Sequence, residues 1–338
     1  MSKRQFVLDA LDQKKVERVP VGFWYHFAFD ELYVDSPAVL QKNLEGHQRF
    51  YDGFHPDFVK IMSDGYFTYP HPVISKIRSA ADLKELKAID PKDWIDRQVA
   101  LVKEVARRFD DHAIALFYNV FCPATYLKWQ LEQQGIGLGD LIREDADAVA
   151  EALNEIGKDV AKLAEAVITE GGADGIYFSF QNIQDAELSK DEYLKYIAPS
   201  ELAVLDAANR AGDYNILHIC GYEGAVNDLT VYADYPAKAV NYAAVVEGVP
   251  LKQAKEIFGG RTILGGFGNT KNDLLYKGDE ASIKAETKRL LDDAGTVGII
   301  LGADCTIPSD TPFAHLEWVR EAAKEYAGIE TGPRIRIQ

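Results

Sequence analysis

Residues 146–180 read A-D-A-V-A-E-A-L-N-E-I-G-K-D-V-A-K-L-A-E-A-V-I-T-E-G-G-A-D-G-I-Y-F-S-F. Val149, Leu153, Ile156, Val160, Leu163 and Val167 recur at helical spacing, so 146–167 is expected to be an amphipathic helix. Gly171 and Gly172 then end it, as helix C-terminal glycines do. The run D-G-I-Y-F-S-F at 174–180 is apolar on both of its faces, which suits a strand buried on both sides.

This helix–glycine–strand unit recurs along the chain. Gly212 and Gly295 punctuate it as the earlier pair does, the latter after the helical pattern of 282–294. Counting strand-like runs gives eight: 19–25, 58–63, 113–120, 174–180, 214–220, 239–245, 262–267 and 297–302. Buried strands alternating with helices pair in parallel. Eight such units predict an α/β fold, a (β/α)₈ TIM barrel occupying residues 1–338 as a single domain, with working residues where strands end. A doubly wound open sheet is the alternative, because periodicity does not show closure.

The 338 residues carry 37 basic and 53 acidic side chains, a net charge of −16. That balance disfavours nucleic acid and anionic membranes, which it would repel. The opening M-S-K-R-Q-F-V-L-D-A-L-D-Q lacks the apolar core of a signal peptide, and no apolar stretch approaches the roughly 18 residues that span a bilayer. Three cysteines do not make a disulfide framework. A cytoplasmic protein with free thiols is expected.

In N-I-L-H-I-C-G (215–221), His218 and Cys220 stand two apart on one strand and point to one face. Their Cα atoms are expected roughly 6.5 Å apart, close enough for both to reach one ion. Cys305, in L-G-A-D-C-T-I-P, follows the last run on the same rim. One imidazole and two thiolates form a soft set that favours zinc, and three protein ligands leave a position open, as catalytic sites do. Asp304 is expected to orient a ligand from behind. Cys122, after the third run, has two readings, a further metal ligand or a small buried thiol, and the second is preferred.

Other polar and aromatic residues fall at strand ends: Trp24, Tyr25 and His26 after the first run, Asp64 and Tyr66 after the second, Asn119 in the third. Gln181 and Asn182 follow the fourth, and Tyr222 with Glu223 follow the His-Cys pair. They are candidates for holding substrate, with ordinary packing as the competing role; His26 has a further reading as metal ligand or general base. G-G-F-G-N-T (265–270) lacks the spacing of a nucleotide loop, and close backbone approach at a rim explains its glycines.

Several stretches resemble the uroporphyrinogen decarboxylase superfamily: R-Q-F-V-L-D-A-L-D-Q-K-K-V-E-R-V-P-V (4–21), C-P-A-T-Y-L (122–127), L-S-K-D-E-Y-L-K-Y-I-A-P (188–199) and L-G-A-D-C-T-I-P-S-D-T-P-F-A-H-L (301–316). The resemblance covers nearly the whole chain and implies that superfamily's barrel. The decarboxylases hold a polycarboxylate tetrapyrrole with paired arginines after the first strand, where this chain reads F-W-Y-H-F-A-F-D (23–30) with none. Asp64, in I-M-S-D-G, matches their aspartate, and on that resemblance it joins the catalytic set. Trp129 stands about where they have a tyrosine. Their late Gly-His-Gly is replaced by Gly-Ala-Asp-Cys.

The zinc-dependent corrinoid methyltransferase branch carries His-x-Cys-Gly after a strand and a second cysteine in the last loop. His218, Cys220 and Cys305 match it position by position. The resemblance implies Zn²⁺ on these three residues and a corrinoid (cobamide), free or on a carrier protein, as methyl donor or acceptor. A small thiol or methylated substrate is implied as the other reactant, and a homodimer as the assembly. Where some members have a further carboxylate ligand this chain reads A-V-N-Y, so Asn241 takes that place and is grouped with the substrate-binding residues. A tetrapyrrole decarboxylase and a non-catalytic barrel that binds corrinoid or metal are the competing functions.

Overall fold

The computed structural model describes residues 2–109 and 113–329. Seven parallel strands form one curled sheet in chain order, each paired with the next: β1 (Phe58–Ile61), β2 (Ala115–Phe121), β3 (Gly175–Gln181), β4 (Ile216–Cys220), β5 (Ala239–Tyr242), β6 (Thr262–Phe267) and β7 (Ile299–Ala303). The helices are α1 (Lys3–Leu11), α2 (Pro37–Phe54), α3 (Lys92–Arg108), α4 (Pro123–Glu132), α5 (Leu138–Thr169) and α6 (Lys190–Tyr196). They continue with α7 (Ala198–Ala211), α8 (Ala244–Glu247), α9 (Leu251–Ile257), α10 (Leu274–Lys277), α11 (Glu280–Ala294) and α12 (Phe313–Tyr326). The architecture is TIM-barrel-like.

The expected eighth strand is absent among the described residues, and its backbone chemistry explains why. Segment 19–25 lies between the two sheet edges but makes a single parallel bridge, Val21 with Leu301. Pro20 has no N–H to give a ladder. The Val21 N–H donates to the Asp57 carboxylate at 2.7 Å instead of to a strand. What remains is Gly22 N to Leu301 O, Leu301 N to Pro20 O, and Asp57 N to Val21 O. Gly302 permits the close approach: a Cβ there would stand 2.9 Å from the Gly22 carbonyl oxygen.

Helix boundaries follow capping chemistry. Helix α5 is broken at Asp145, whose backbone leaves the helical region (φ −157, ψ 92). The Asp145 carboxylate accepts the Ala148 N–H at 3.0 Å, an N-cap that starts the 146–167 segment anew. Gly172 and Gly295 have positive φ, whereas Gly212 is extended at φ −169 and packs against Ile168.

Strand register sorts the side chains. Phe58, Phe117, Tyr177, Ile216, Ala239, Leu264 and Ile300 form a small inner core with Trp24. Helix α1 contributes Phe6, Val7, Leu8, Ala10 and Leu11 to that core and so closes the end of the lumen where strands begin. The larger core lies between sheet and helices. The opposite end of the lumen, where strands finish, holds the polar groups. No described helix is long and apolar enough to cross a membrane.

Candidate metal centre and its cavity

His218 and Cys220 alternate inward on β4, and Cys305 follows β7, which folds the three donors together across the lumen. Their ligand atoms all lie within 4.8 Å of one another. Cys220 Sγ is 3.6 Å from Cys305 Sγ, and Cys305 Sγ is 3.4 Å from His218 Nε2. A tetrahedral zinc with ordinary bond lengths sets S···S near ~3.8 Å and S···N near ~3.5 Å. Two of the three edges match those values and the third lies within 4.8 Å, so the donor set fits one zinc ion.

Asn241 fixes the imidazole. Its Nδ2 donates to the Leu264 and Ala303 carbonyls at 2.9 and 3.1 Å, so its Oδ1 must be the acceptor facing His218 Nδ1 at 2.5 Å. The Nδ1 proton is thereby assigned from the network, and Nε2 keeps its lone pair toward Cys305. Asn241 is fully buried and its amide is wholly engaged, so it orients the His218 imidazole rather than facing the cavity. The two thiols are in contact at 3.6 Å. Donation to Cys305, then burial, pushes Cys220 up; acceptance from Cys220 holds Cys305 below the usual thiol range despite burial.

Lys60 was missed by sequence reasoning. It points inward from β1 and is 4% exposed. Its Nζ lies 4.3 Å from the Tyr177 ring centroid and 5.1 Å from that of Trp24. Burial lowers its pKa to about 8, while the nearby Cys305, Cys220 and Asp64 oppose the shift. Among the described residues its ammonium makes no hydrogen bond or ion pair. A lysine in phase with Phe58 and Met62, inside a parallel strand buried on both faces, was the available signal.

A cavity of about 720 Å³, its open mouth included, reaches down to Cys305 and Lys60. Met62, Asn119, Gln181 and Thr306 line it with them, and His26, Phe29, Tyr33, Phe67, Phe121, Trp129 and Tyr222 form its largely aromatic wall. His218 and Cys220 are fully buried behind Cys305. Trp129 stacks on Phe67 with centroids 5.0 Å apart. Phe29 and Tyr222 stand 63% and 55% exposed at the mouth. No arginine lines the cavity among the described residues.

The remaining expected residues divide. His26, Asn119, Gln181 and Tyr222 reach the cavity; Trp24, Tyr25, Asp64, Tyr66 and Asn182 are not among its lining. Trp24 lies beneath it in the inner core. Tyr25 faces the helices and packs on Phe27 and Phe50. Tyr66 borders a separate hollow with Asp35 and Arg97, and burial pushes its phenol up to about 12. Asn182 donates to the Tyr222 carbonyl at 2.8 Å.

Asp64 is buried and accepts from His26 Nδ1, Phe27 N and Ala28 N at 2.7, 2.7 and 3.0 Å. Burial raises its pKa, but His26 and the two amides outweigh that and hold it below the ordinary value. It ties down the loop that carries His26. Asp304 likewise turns to backbone: its Oδ2 accepts Val245 N at 2.9 Å, and burial pushes its carboxyl up to about 7 against those amide bonds. Cys122 contacts the Thr125 hydroxyl at 3.2 Å, away from the triad.

Known proteins share this framework. The family model described as Uroporphyrinogen decarboxylase (URO-D) matches residues 66–326, which takes in His218, Cys220, Asn241 and Cys305. Methylcobamide:CoM methyltransferase MtbA of Methanosarcina mazei is 31% identical over 159 residues, and that of Methanosarcina acetivorans 28% over 160. Each match spans 47% of this chain and 44% of the relative, less than half of the relatives' length. A solved methyltransferase from Methanosarcina mazei superposes with a TM-score of 0.69 at 18% identity, over 96% of this chain and 99% of that one. A B12-independent methionine synthase from Shewanella sp. W3-18-1 gives 0.52 at 12%, over 92% and 95%. At such identities the structural likeness speaks for the fold.

Proposed function

The chain belongs to the uroporphyrinogen decarboxylase family, and from that premise we propose that it is a zinc-dependent methyltransferase moving a methyl group between a corrinoid and a thiol. The carrying observation is the His218–Cys220–Cys305 cluster, two of whose edges match a tetrahedral zinc and which opens through Cys305 onto a cavity. Zinc, when bound, supplies a Lewis-acidic centre that keeps a thiol ionised near neutral pH. The matched methylcobamide:CoM methyltransferases carry that activity in their names, which supports the same reaction class here.

Each side chain has a part in this reading. Cys220, Cys305 and His218 hold the metal, and Asn241 keeps the His218 lone pair aimed at it. The aromatic wall excludes water and offers flat faces to a corrin ring, whether free or on a carrier protein. His26, Asn119, Gln181 and Tyr222 contact the reactants, with Asp64 setting the position of His26. In the forward direction the thiolate sulfur takes the methyl group, and the electron pair of the broken carbon–cobalt bond returns to cobalt. The protein works as one barrel unit in the cytoplasm, as a homodimer.

Decarboxylation of a tetrapyrrole is disfavoured, because the cavity offers no arginine among its described lining residues to hold several carboxylates. The test is incubation of zinc-loaded protein with methylcobalamin and a panel of small thiols, followed by visible absorbance. Thiol-dependent loss of the methylcobalamin spectrum is expected. Bound zinc with no turnover on any thiol overturns the proposal.

A further inference from the structure

A divalent ion held by two thiolates and a neutral imidazole has no net charge. A third thiolate at the open position makes the centre an anion inside a protein lumen, which is costly without a counter-charge nearby. Lys60 is the one lysine or arginine among the described residues lining the cavity. Its ammonium rests on the ring faces of Tyr177 and Trp24, and the ring of Tyr177 is 5.6 Å from that of His218. Ring faces attract a cation without neutralising it. No carboxylate among the described residues forms an ion pair with it; Cys305 lines the same cavity, and negative charge on Cys305, Cys220 and Asp64 favours the ammonium.

We propose that Lys60 is the counter-charge for the ligand that completes the metal centre, selecting a negatively charged donor over a neutral one at the position the triad leaves open. Lys60 is a positioning residue in this account: it acts on the charge of the incoming sulfur and is not a metal ligand. The inference rests on the reading that a metal occupies the triad and a thiol binds there.

The experiment uses the full chain with Co²⁺ in place of zinc, whose visible bands report each added ligand without turnover. Three probes are titrated: 2-mercaptoethanol, whose only charge on binding is the thiolate, azide as a second anion, and imidazole as a neutral donor. In Lys60→Met, affinity for 2-mercaptoethanol and azide is expected to fall on the order of tenfold or more, while imidazole changes by less than about twofold. Metal content should be unchanged, and Lys60→Arg should recover part of the anion affinity. Equal losses for azide and imidazole would mark a merely structural role and overturn the inference, as would unchanged binding of all three. A wild-type protein that takes up no Co²⁺, or whose spectrum no thiol alters, overturns the underlying reading. A wild type that responds alongside an identical Lys60→Met overturns the inference alone.

Discussion

Cys122 and Cys220 are both fully buried and both stand where a strand finishes, yet the sheet faces give them opposite surroundings. Cys122 faces the helices, near the carboxyl of Glu201. There Tyr193 donates to Glu201 Oε1 at 2.9 Å, Tyr235 to Oε2 at 2.5 Å, and Tyr193 also meets Tyr232 at 2.9 Å. That cluster satisfies its own polar groups. Cys220 faces the lumen, where its thiol, the Cys305 thiol and His218 Nε2 have mainly one another as partners, and the Lys60 ammonium forms no ion pair among the described residues. Burial alone says little about a thiol; what matters is whether the surrounding donors and acceptors are already closed.

Metal content breaks or sharpens this contrast most strongly. His218→Ala, Cys305→Ala and Cys220→Ser should each take bound zinc from about one per chain to nearly none, with the far-ultraviolet circular dichroism retained. Full zinc in any of the three would remove that residue from the ligand set.

Next comes the helix-side cluster, through pH. Burial pushes Glu201 up to about 7, with the hydrogen bonds from Tyr235, Tyr193 and Cys122 opposing it. The folded state therefore binds this proton more tightly than the unfolded chain. Its stabilisation is complete below the unfolded value and is lost as pH rises through the folded one. Unfolding free energy should drop on the order of 3 kcal/mol between about pH 4.5 and 7. Denaturant titrations of wild type and Glu201→Gln check this: the variant should lack that part of the slope, and parallel curves would refute it.

Smaller is the effect of Asn241→Ala, which leaves every ligand in place but frees the imidazole tautomer. Zinc affinity, measured against a competing chelator, should weaken about 10- to 100-fold. Smallest is Cys122→Ala, expected to cost on the order of 1 kcal/mol and to leave zinc content unchanged. Zinc loss there would erase the distinction between the two faces.

The barrel-like fold was legible because its signals are local. Helical periodicity ran into glycine and then into a doubly apolar run, and β6 occupies the same residues as its run, 262–267. The first run misled because Pro20 and the Asp57 carboxylate take its backbone out of the ladder, and that partner lies far along the chain. The triad was legible from spacing on β4 plus a cysteine on the same rim. Trp24, Tyr25 and His26 were grouped as one rim, although period-two alternation turns Tyr25 toward the helices while Trp24 and His26 face inward. Lys60 escaped because a lysine reads as solvated unless its strand is recognised as buried on both faces. The sequence alone groups Asn241 with the substrate contacts; only the folded positions of Leu264 and Ala303 show its amide to be occupied.

X-ray absorption at the zinc edge, on protein purified with one equivalent of the metal, tests the whole account most directly. A first shell of two sulfurs at about 2.3 Å and an imidazole nitrogen near 2.0 Å, with one further light atom, is the predicted result. A shell of oxygen and nitrogen without sulfur, or protein that retains no zinc, would contradict it.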